Sequence, residues 1–389
     1  MGGFFFVVFP TYLWPMSHSL PPKLKHLLAQ RAHSGLLRTP KVMSGIDFMS
    51  NDYFGWAKQV DTGTGLALGG SGSRLISGHT VALEALEQTA AADWGGDQAL
   101  FFPSGYTANV GFFASVPQRG DVVLADAHVH ASIVDGLRLS MAHTFKFAHN
   151  DLHDLNAKAV HARAKMHPDG VLFVVTEGLF SMDGDSAPLS AMADCCAEFG
   201  AYLVVDEAHS TGVYGEWGGG LVQELGLEDK VWARLLTLGK AMGRQGAFWL
   251  VDEQLKSFLL NYARSLIYST APSPAEVAHI TQTLIWAQER GPEARAQLSE
   301  RIHFFRHTAQ KLGVLDRLWP AVGPIQAWRC PDEQSAIQWA EDLQRAGYAV
   351  KAILPPTVPK GGARLRLCIH ADHTDKDIVG LLSALKQCL

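Results

Sequence analysis

Short apolar runs, four to six residues long and rich in Val and Leu, recur through the middle of this chain: Asp121–Ala125, Val171–Thr176, Tyr202–Asp206, Leu235–Leu238 and Ala247–Val251. Such runs read as strands covered on both faces, as in a parallel sheet. Stretches of helical period separate them, which predicts an α/β layer with right-handed crossovers. Upstream, Leu24, Leu27, Leu28 and Leu36–Leu37 give helical spacing from Lys23 to Arg38, and "DFMSNDYFG" reads as a short strand and turn. The pattern changes after about Pro274. Long helices are expected at Ala275–Ala287 and Ala296–Leu312. A smaller set follows: a helix near Gln334–Ala346, strands at Tyr348–Leu354 and Ala363–Ile369, and a last helix. Thr374 and Asp377 have capping-box spacing ahead of one apolar face, Ile378, Leu381, Leu382 and Leu385. The expected organisation is a loose extension (1–15), a segment packing on the small domain (16–60), a large α/β domain with a mostly parallel central sheet (61–274), and a smaller α+β C-terminal domain (275–389).

Polar residues collect just past the C-terminal ends of these strands. Asp126 to His130 follow one, Glu177 to Asp185 the next, Asp206 and His209 the third, and Lys240 the fourth. Ligands of open α/β sheets bind at that edge. Lys240, in "LLTLGKAMG", is ordinary as a lone loop lysine, but a desolvated lysine amine forms Schiff bases with carbonyls. Asp206 ends the apolar run "LVVDEAH", where an unpaired carboxylate is costly, so it needs a cationic partner. Pyridoxal phosphate offers a carbonyl to the lysine and a pyridinium nitrogen to the aspartate. In "FFPSGYTANVGFF", Ser104-Gly105-Tyr106 open a helix whose free N–H groups suit a phosphate, and Gly105 permits close approach. The stretch "LGGSGSRLISGH" matches neither a dinucleotide fingerprint nor a P-loop. His128 and His130 lack a third ligand at plausible spacing, so no metal site is expected. Stacking on a flat cofactor ring is the better use of one of them.

Composition narrows the picture. Hydrophobic residues make up 47%, which excludes disorder. Lys and Arg number 33 against 38 Asp and Glu, a net charge of −5, which gives no reason to expect nucleic acid or an anionic membrane surface as partner. The apolar run Phe4–Phe9 ends at Pro10, far short of the ~20 residues that span a bilayer, and it lacks the flanks of a signal peptide. Met16 opens a more ordinary start. Cys195, Cys196, Cys330, Cys368 and Cys388 form no C-x-x-C pair, which reads as buried thiols in a reducing cytoplasm. Of the 37 glycines, 25 lie between Gly63 and Gly246, under half the chain.

The motifs "NDYFG", "GSGSRLISG", "DAHVHASIVDG", "FAHND", "TEGLFSMDGDSAPL", "VDEAHSTGVYG", "TLGKAMG" and "IYSTAPSP" together resemble the α-oxoamine synthases, a family of fold-type-I pyridoxal-phosphate transferases, from about Arg38 to the C-terminus. "FAHND", "SMDGDSAPL" and "PPTVPKGGARLRL" are most similar to members that condense L-alanine with a pimeloyl thioester, from CoA or a carrier protein, in biotin synthesis. The resemblance implies roles residue by residue. Lys240 matches the Schiff-base lysine, Asp206 the partner of the pyridine nitrogen, His209 the histidine near the phenolic oxygen and His130 the ring-stacking histidine. Gly105 and Tyr106 match phosphate donors, with Ser181 and Thr237 as further cofactor contacts. Ser269 and Thr270 match a segment serving the neighbouring subunit's phosphate, which implies a homodimer with shared sites. Arg366 matches the arginine that holds the amino-acid carboxylate, with Asn51 near it; Arg38 and Thr357 match substrate-side positions.

The chain departs from the family pattern in three places: it is short between Gly55 and Ser71, it has Gly219 where an arginine is common, and Arg244–Gln245 follow "GKAMG". Another member, using glycine or serine with a different acyl-CoA (glycine C-acetyltransferase, for one), is the competing expectation. A non-catalytic partner subunit, as in sphingolipid synthesis, is disfavoured by Lys240. The 18% charged fraction, against roughly 25% in typical soluble domains, fits a large homodimer interface.

Overall fold

The structure, a computed structural model, describes residues 20–38, 40–59, 63 and 65–389. The extension expected at 1–15 lies outside the described residues. Packing divides the chain into Met1–Met43 and a compact unit, Ser44–Leu389. In the first, helix α1 (Pro22–His33) buries none of its residues. It stops at Ser34–Gly35, with Gly35 at φ +68°, so the helix ends well short of the predicted Arg38.

The larger unit opens with β1 (Ile46–Asp47) and a single 3-10 turn, Trp56–Lys58. Then come α2 (Val81–Asp93), β2 (Gln98–Phe102), α3 (Gly105–Ser115), β3 (Val122–Asp126), α4 (Ala131–Leu139), β4 (His143–Phe147), α5 (Leu152–Lys165) and β5 (Leu172–Glu177). Next are α6 (Leu189–Phe199), β6 (Tyr202–Asp206), α7 (Gly220–Glu224), β7 (Ala233–Thr237) and β8 (Ala247–Val251). These strands form one seven-stranded sheet in the order β2-β8-β7-β6-β5-β3-β4. Only β8 runs against its neighbours. Alternate residues feed two cores. Val122 and Leu124 of β3 pack on one face of the sheet and Val123 and Ala125 on the other, which is why the strand reads as one apolar run.

Helices Pro274–Glu289 and Gly291–Lys311 follow, then β9 (Ile325–Arg329), a helix at Glu333–Arg345, β10 (Tyr348–Ala349), β11 (Lys351–Ile353), β12 (Arg364–Cys368) and a last helix, Asp375–Gln387. That helix carries the expected capping box between Thr374 and Asp377. β11, β12 and β9 make an antiparallel sheet, and β10 pairs in parallel with β1. The expected strand Tyr348–Leu354 is therefore two strands serving different partners.

Three strands are absent from the sequence reading. β4, "HTFKF", is the sheet's edge and exposes four of its five residues, so it carries no apolar run. β2 and β9, "QALFF" and "IQAWR", begin in mixed polar and apolar residues. The expectation of buried thiols fails at Cys388, which is half-buried near the chain end, while the other four are buried and all five are free. No helix among the described residues is long and apolar enough to cross a membrane.

Candidate active site

The central strands end side by side, and β5 and β6 pair so that Glu177 stands opposite Asp206. Both carboxylates are buried. Within the chain Asp206 is held by neutral donors. Its Oδ2 accepts from the Asn109 amide at 2.7 Å and its Oδ1 from the Ala208 N–H at 2.9 Å. Asn109 also donates to Ser132 Oγ at 3.0 Å, and that hydroxyl donates to His130 Nδ1 at 2.7 Å. His130 is thus fixed as the N-cap of α4 and tied, through two neutral side chains, to Asp206.

Lys240 lies past β7 in a turn closed by the Gly243 N–H donating to its carbonyl (2.9 Å). Gly243 is needed there on two counts: φ is +65°, and a Cβ would collide with the backbone of Trp56 and Ala57. The Lys240 ammonium makes no ion pair or hydrogen bond with a described residue. Burial drives its pKa down to about 8 despite the pull of Asp206 and Glu177, with Arg366 adding to the fall. Burial, reinforced by the Asp206 charge, holds the Glu177 carboxyl well above the usual carboxylate range. Burial likewise lowers His130, and lowers His209 well below the ordinary imidazole value, helped by Lys240 and Arg366.

Ser104 caps α3 with a full capping box, leaving the first-turn N–H groups of Gly105 and Tyr106 without intrahelical acceptors. A Cβ on Gly105 would come within 3.3 Å of Thr237 Oγ1, so the helix start, Gly105 and Thr237 form one narrow cradle. Tyr106 is half-exposed and donates to Asp135.

Arg366, from β12, is buried. Its Nε donates to the Ser181 carbonyl at 2.5 Å and its Nη2 to Asn51 Oδ1 at 2.8 Å. Tyr53 Oη lies 3.0 Å from His209 Nδ1 and 3.3 Å from the same Asn51 oxygen. Arg366, Asn51, Tyr53 and His209 therefore form one hydrogen-bonded chain.

The structure thus gathers Lys240, Asp206, His209, His130, Arg366, Asn51 and Ser181, with Gly105 and Thr237 side by side. It joins the others elsewhere. Ser269 donates to the Ser265 carbonyl, and Thr270 pairs with Ser73 of the Gly-rich loop; no hydrogen bond links either to Lys240. Thr357 is exposed, its N–H on the Leu354 carbonyl. Arg38 is exposed in the separate N-terminal unit. Sequence reasoning missed Asn109, Ser132 and Tyr53, and placed Glu177 at the strand edge without a role. Asn109 was within reach, since it lies one helical turn after Gly105 on the cradle helix. The other two needed the fold.

Among the described residues, two buried oxygens beside this cluster have no partner, Asn109 Oδ1 and Glu177 Oε1. A desolvated amine near two carboxyls, orphaned acceptors and a helix-start cradle suit a flat ligand that bears a carbonyl, a basic ring nitrogen and a phosphate.

The chain is 39% identical to 8-amino-7-oxononanoate synthase of Alkalilimnicola ehrlichii, covering 95% of this chain and 98% of that one. The solved 8-amino-7-oxononanoate synthase of Francisella tularensis superposes with a TM-score of 0.74 at 27% identity, over 88% of this chain and 97% of the other. A serine palmitoyltransferase from Sphingomonas wittichii superposes with a TM-score of 0.84 at 28% identity, over 95% and 98%. The profile of the aminotransferase class I and II family matches residues 44–385, and the chain belongs to that family.

Proposed function

We propose that this protein uses pyridoxal 5'-phosphate to condense L-alanine with a pimeloyl thioester, from CoA or a carrier protein, giving 8-amino-7-oxononanoate, CO2 and the freed CoA or carrier thiol on the way to biotin. The observation that carries this reading is the likeness to the Alkalilimnicola ehrlichii synthase over nearly the whole of both chains. Solved serine palmitoyltransferase structures similar to this chain also hold PLP. When bound, the cofactor supplies a carbonyl for amino groups and a ring that draws electrons from Cα. Lys240 would hold that carbonyl, and its Nζ would take the alanine Cα proton; its pKa near 8 leaves a usable uncharged fraction at neutral pH. Asp206 holds the proton on the ring nitrogen, and the Asn109–Ser132–His130 chain keeps both the carboxylate and the stacking imidazole in place. Gly105, Tyr106 and Thr237 hold the phosphate, with Ser181 a further cofactor contact. Arg366, steadied by Asn51, grips the alanine carboxylate through its fork of N–H donors. Arg38 and Thr357 are assigned to the substrate side.

We read 61–274 as the cofactor-binding domain and 275–389 as the small domain. The protein works as a homodimer in the cytoplasm, with Ser269 and Thr270 of one protomer serving the other's phosphate. Leu68, Ile76, Val81 and Tyr268, all at least 72% exposed, lie on or beside the segments that carry the Gly-rich loop and Ser269; they support a covered apolar surface there. Five unpaired cysteines support a reducing compartment. The test is CoA release by purified protein loaded with pyridoxal phosphate. Release with alanine plus pimeloyl-CoA supports the reading. Release only with glycine plus acetyl-CoA, or serine plus palmitoyl-CoA, overturns it.

A further inference from the structure

The chain of contacts from Arg366 to His209 contains a choice of acceptor for the Tyr53 hydroxyl proton. Tyr53 has one hydroxyl proton and two acceptors in reach: His209 Nδ1 at 3.0 Å and Asn51 Oδ1 at 3.3 Å. Asn51 Oδ1 is already occupied by Arg366 Nη2 at 2.8 Å, and the Cys368 thiol lies on it as well, at 3.9 Å. The shorter and less crowded bond is the one to His209. A neutral imidazole carries one proton, so accepting on Nδ1 places that proton on Nε2. We propose that Tyr53 is a positioning residue that fixes His209 as its Nε2–H tautomer, making His209 a hydrogen-bond donor to an oxygen of the group bound beside Lys240. Asn51 and Arg366 support this from behind by keeping Tyr53's proton away from the amide oxygen.

Two further observations agree. Tyr53 and His209 are both buried, so bulk water offers neither an alternative partner. The charged groups that face His209 are Lys240, Arg366 and His130; together with burial they keep its ring neutral, and only a neutral ring has a tautomer to be set. Tyr53 is itself held protonated, burial pushing its phenol upward, so it remains a donor across the physiological range. The arrangement ties the residues proposed to hold the amino-acid carboxylate to the one that would donate to the cofactor, and in this it rests on the proposed function. It also gives Tyr53, in "NDYFG", a task that burial in the core does not supply.

The test uses holoenzyme with 15N-labelled histidine, the His209 signals identified by their loss in His209→Asn. Wild type is expected to show His209 with Nε2 protonated and Nδ1 bare. Tyr53→Phe keeps the ring and loses only the hydroxyl. It is expected to fold, to bind cofactor at the same stoichiometry, to lose the single tautomer, to shift the pH midpoint of the cofactor's visible band, and to lower kcat about tenfold with the alanine KM within about twofold. A protonated Nδ1 in wild type overturns the proposal. So does a Tyr53→Phe variant with unchanged histidine signals and visible band. The wild-type spectrum stands even if the variant folds poorly. A protein that forms no visible band with pyridoxal phosphate defeats the functional reading instead, and the tautomer can still be read from its histidine signals.

Discussion

Two buried clusters in this protein are built from the same residue types and are left in opposite states. In the first, Arg74 of the Gly-rich loop meets Glu87 of α2 through two bonds, 2.5 and 2.8 Å. Glu87 also accepts from the Phe101 N–H at 2.8 Å and has Lys256 at 3.1 Å. Every oxygen is used. In the second, Lys240 stands near Glu177 and Asp206 without touching either, and Glu177 Oε1 has no partner. The first cluster pins a loop, a helix and strand β2 together, and both of its cations meet the one carboxylate at contact distance. The second keeps an amine ready to lose its proton and a carboxyl ready to keep one. A buried charge that is fully partnered belongs to the architecture. One left partly unpartnered, at the ligand-binding edge of the sheet, is a site.

The widest separation between the two comes from removing each base's chemistry. Lys240→Ala is expected to abolish the visible cofactor band and to lower turnover by about 10^4-fold or more. It takes away a desolvated amine with no hydrogen bond or ion pair to a described residue, so the melting temperature should stay within about 2 °C of wild type. A large fall in melting temperature would break the comparison, because Lys240 would then be holding the fold.

Glu87→Ala is the converse. It strands two cations, Arg74 and Lys256, and leaves the Phe101 N–H unpaired, so a loss of about 3–5 kcal/mol is expected in denaturant unfolding. Turnover per folded molecule should change far less than in Lys240→Ala. If the stability loss is under about 1 kcal/mol, the first cluster is not the anchor its geometry describes.

Most of the parallel sheet was legible because β3, β5 and β6 are buried on both faces and so read as unbroken apolar runs. β4 was illegible for the same physical reason reversed, since an edge strand that exposes four of five residues has no pattern to show. In the site, Lys240, Asp206, His130 and His209 stood out because their chemistry is unusual at a strand end. Glu177 did not. It ends its strand as Asp206 does, but its raised pKa comes from facing Asp206 across β5 and β6, a register that only the folded sheet fixes. Tyr53 lies 156 residues from His209, and no local spacing links them.

A third cluster lies between the two extremes. His149 bridges buried Asp126 (2.9 Å) and Asp185 (2.8 Å) and stacks on His128. Burial opposes its charge, but the bonds to Asp126 and Asp185 hold its pKa up to about 9. A folded value above the unfolded one means the contribution is fully present below about pH 6.5 and is lost as pH rises through about 9. His149→Gln should therefore cost roughly 2 kcal/mol at pH 6 and much less at pH 10. An equal cost at both pH values would place His149 in the core as a neutral ring.

The smallest effect is expected at Glu177→Gln, and it sharpens the comparison most. Burial and the Asp206 charge raise the Glu177 carboxyl well above the usual carboxylate range, so an amide of the same shape is expected to change little. The readout is the rate at which cofactor-free protein captures pyridoxal phosphate. Only the uncharged Lys240 amine reacts, so the wild-type rate should rise with pH and level off above about 8. In Glu177→Gln that midpoint should stay within about 0.5 pH unit, and turnover within about threefold. Were Glu177 an anion stabilising the Lys240 ammonium, its removal would instead drop the midpoint by a unit or more, on the order of 1.4 kcal/mol. Lys240 would then have a true counter-ion, and the two buried clusters would differ in distance rather than in kind.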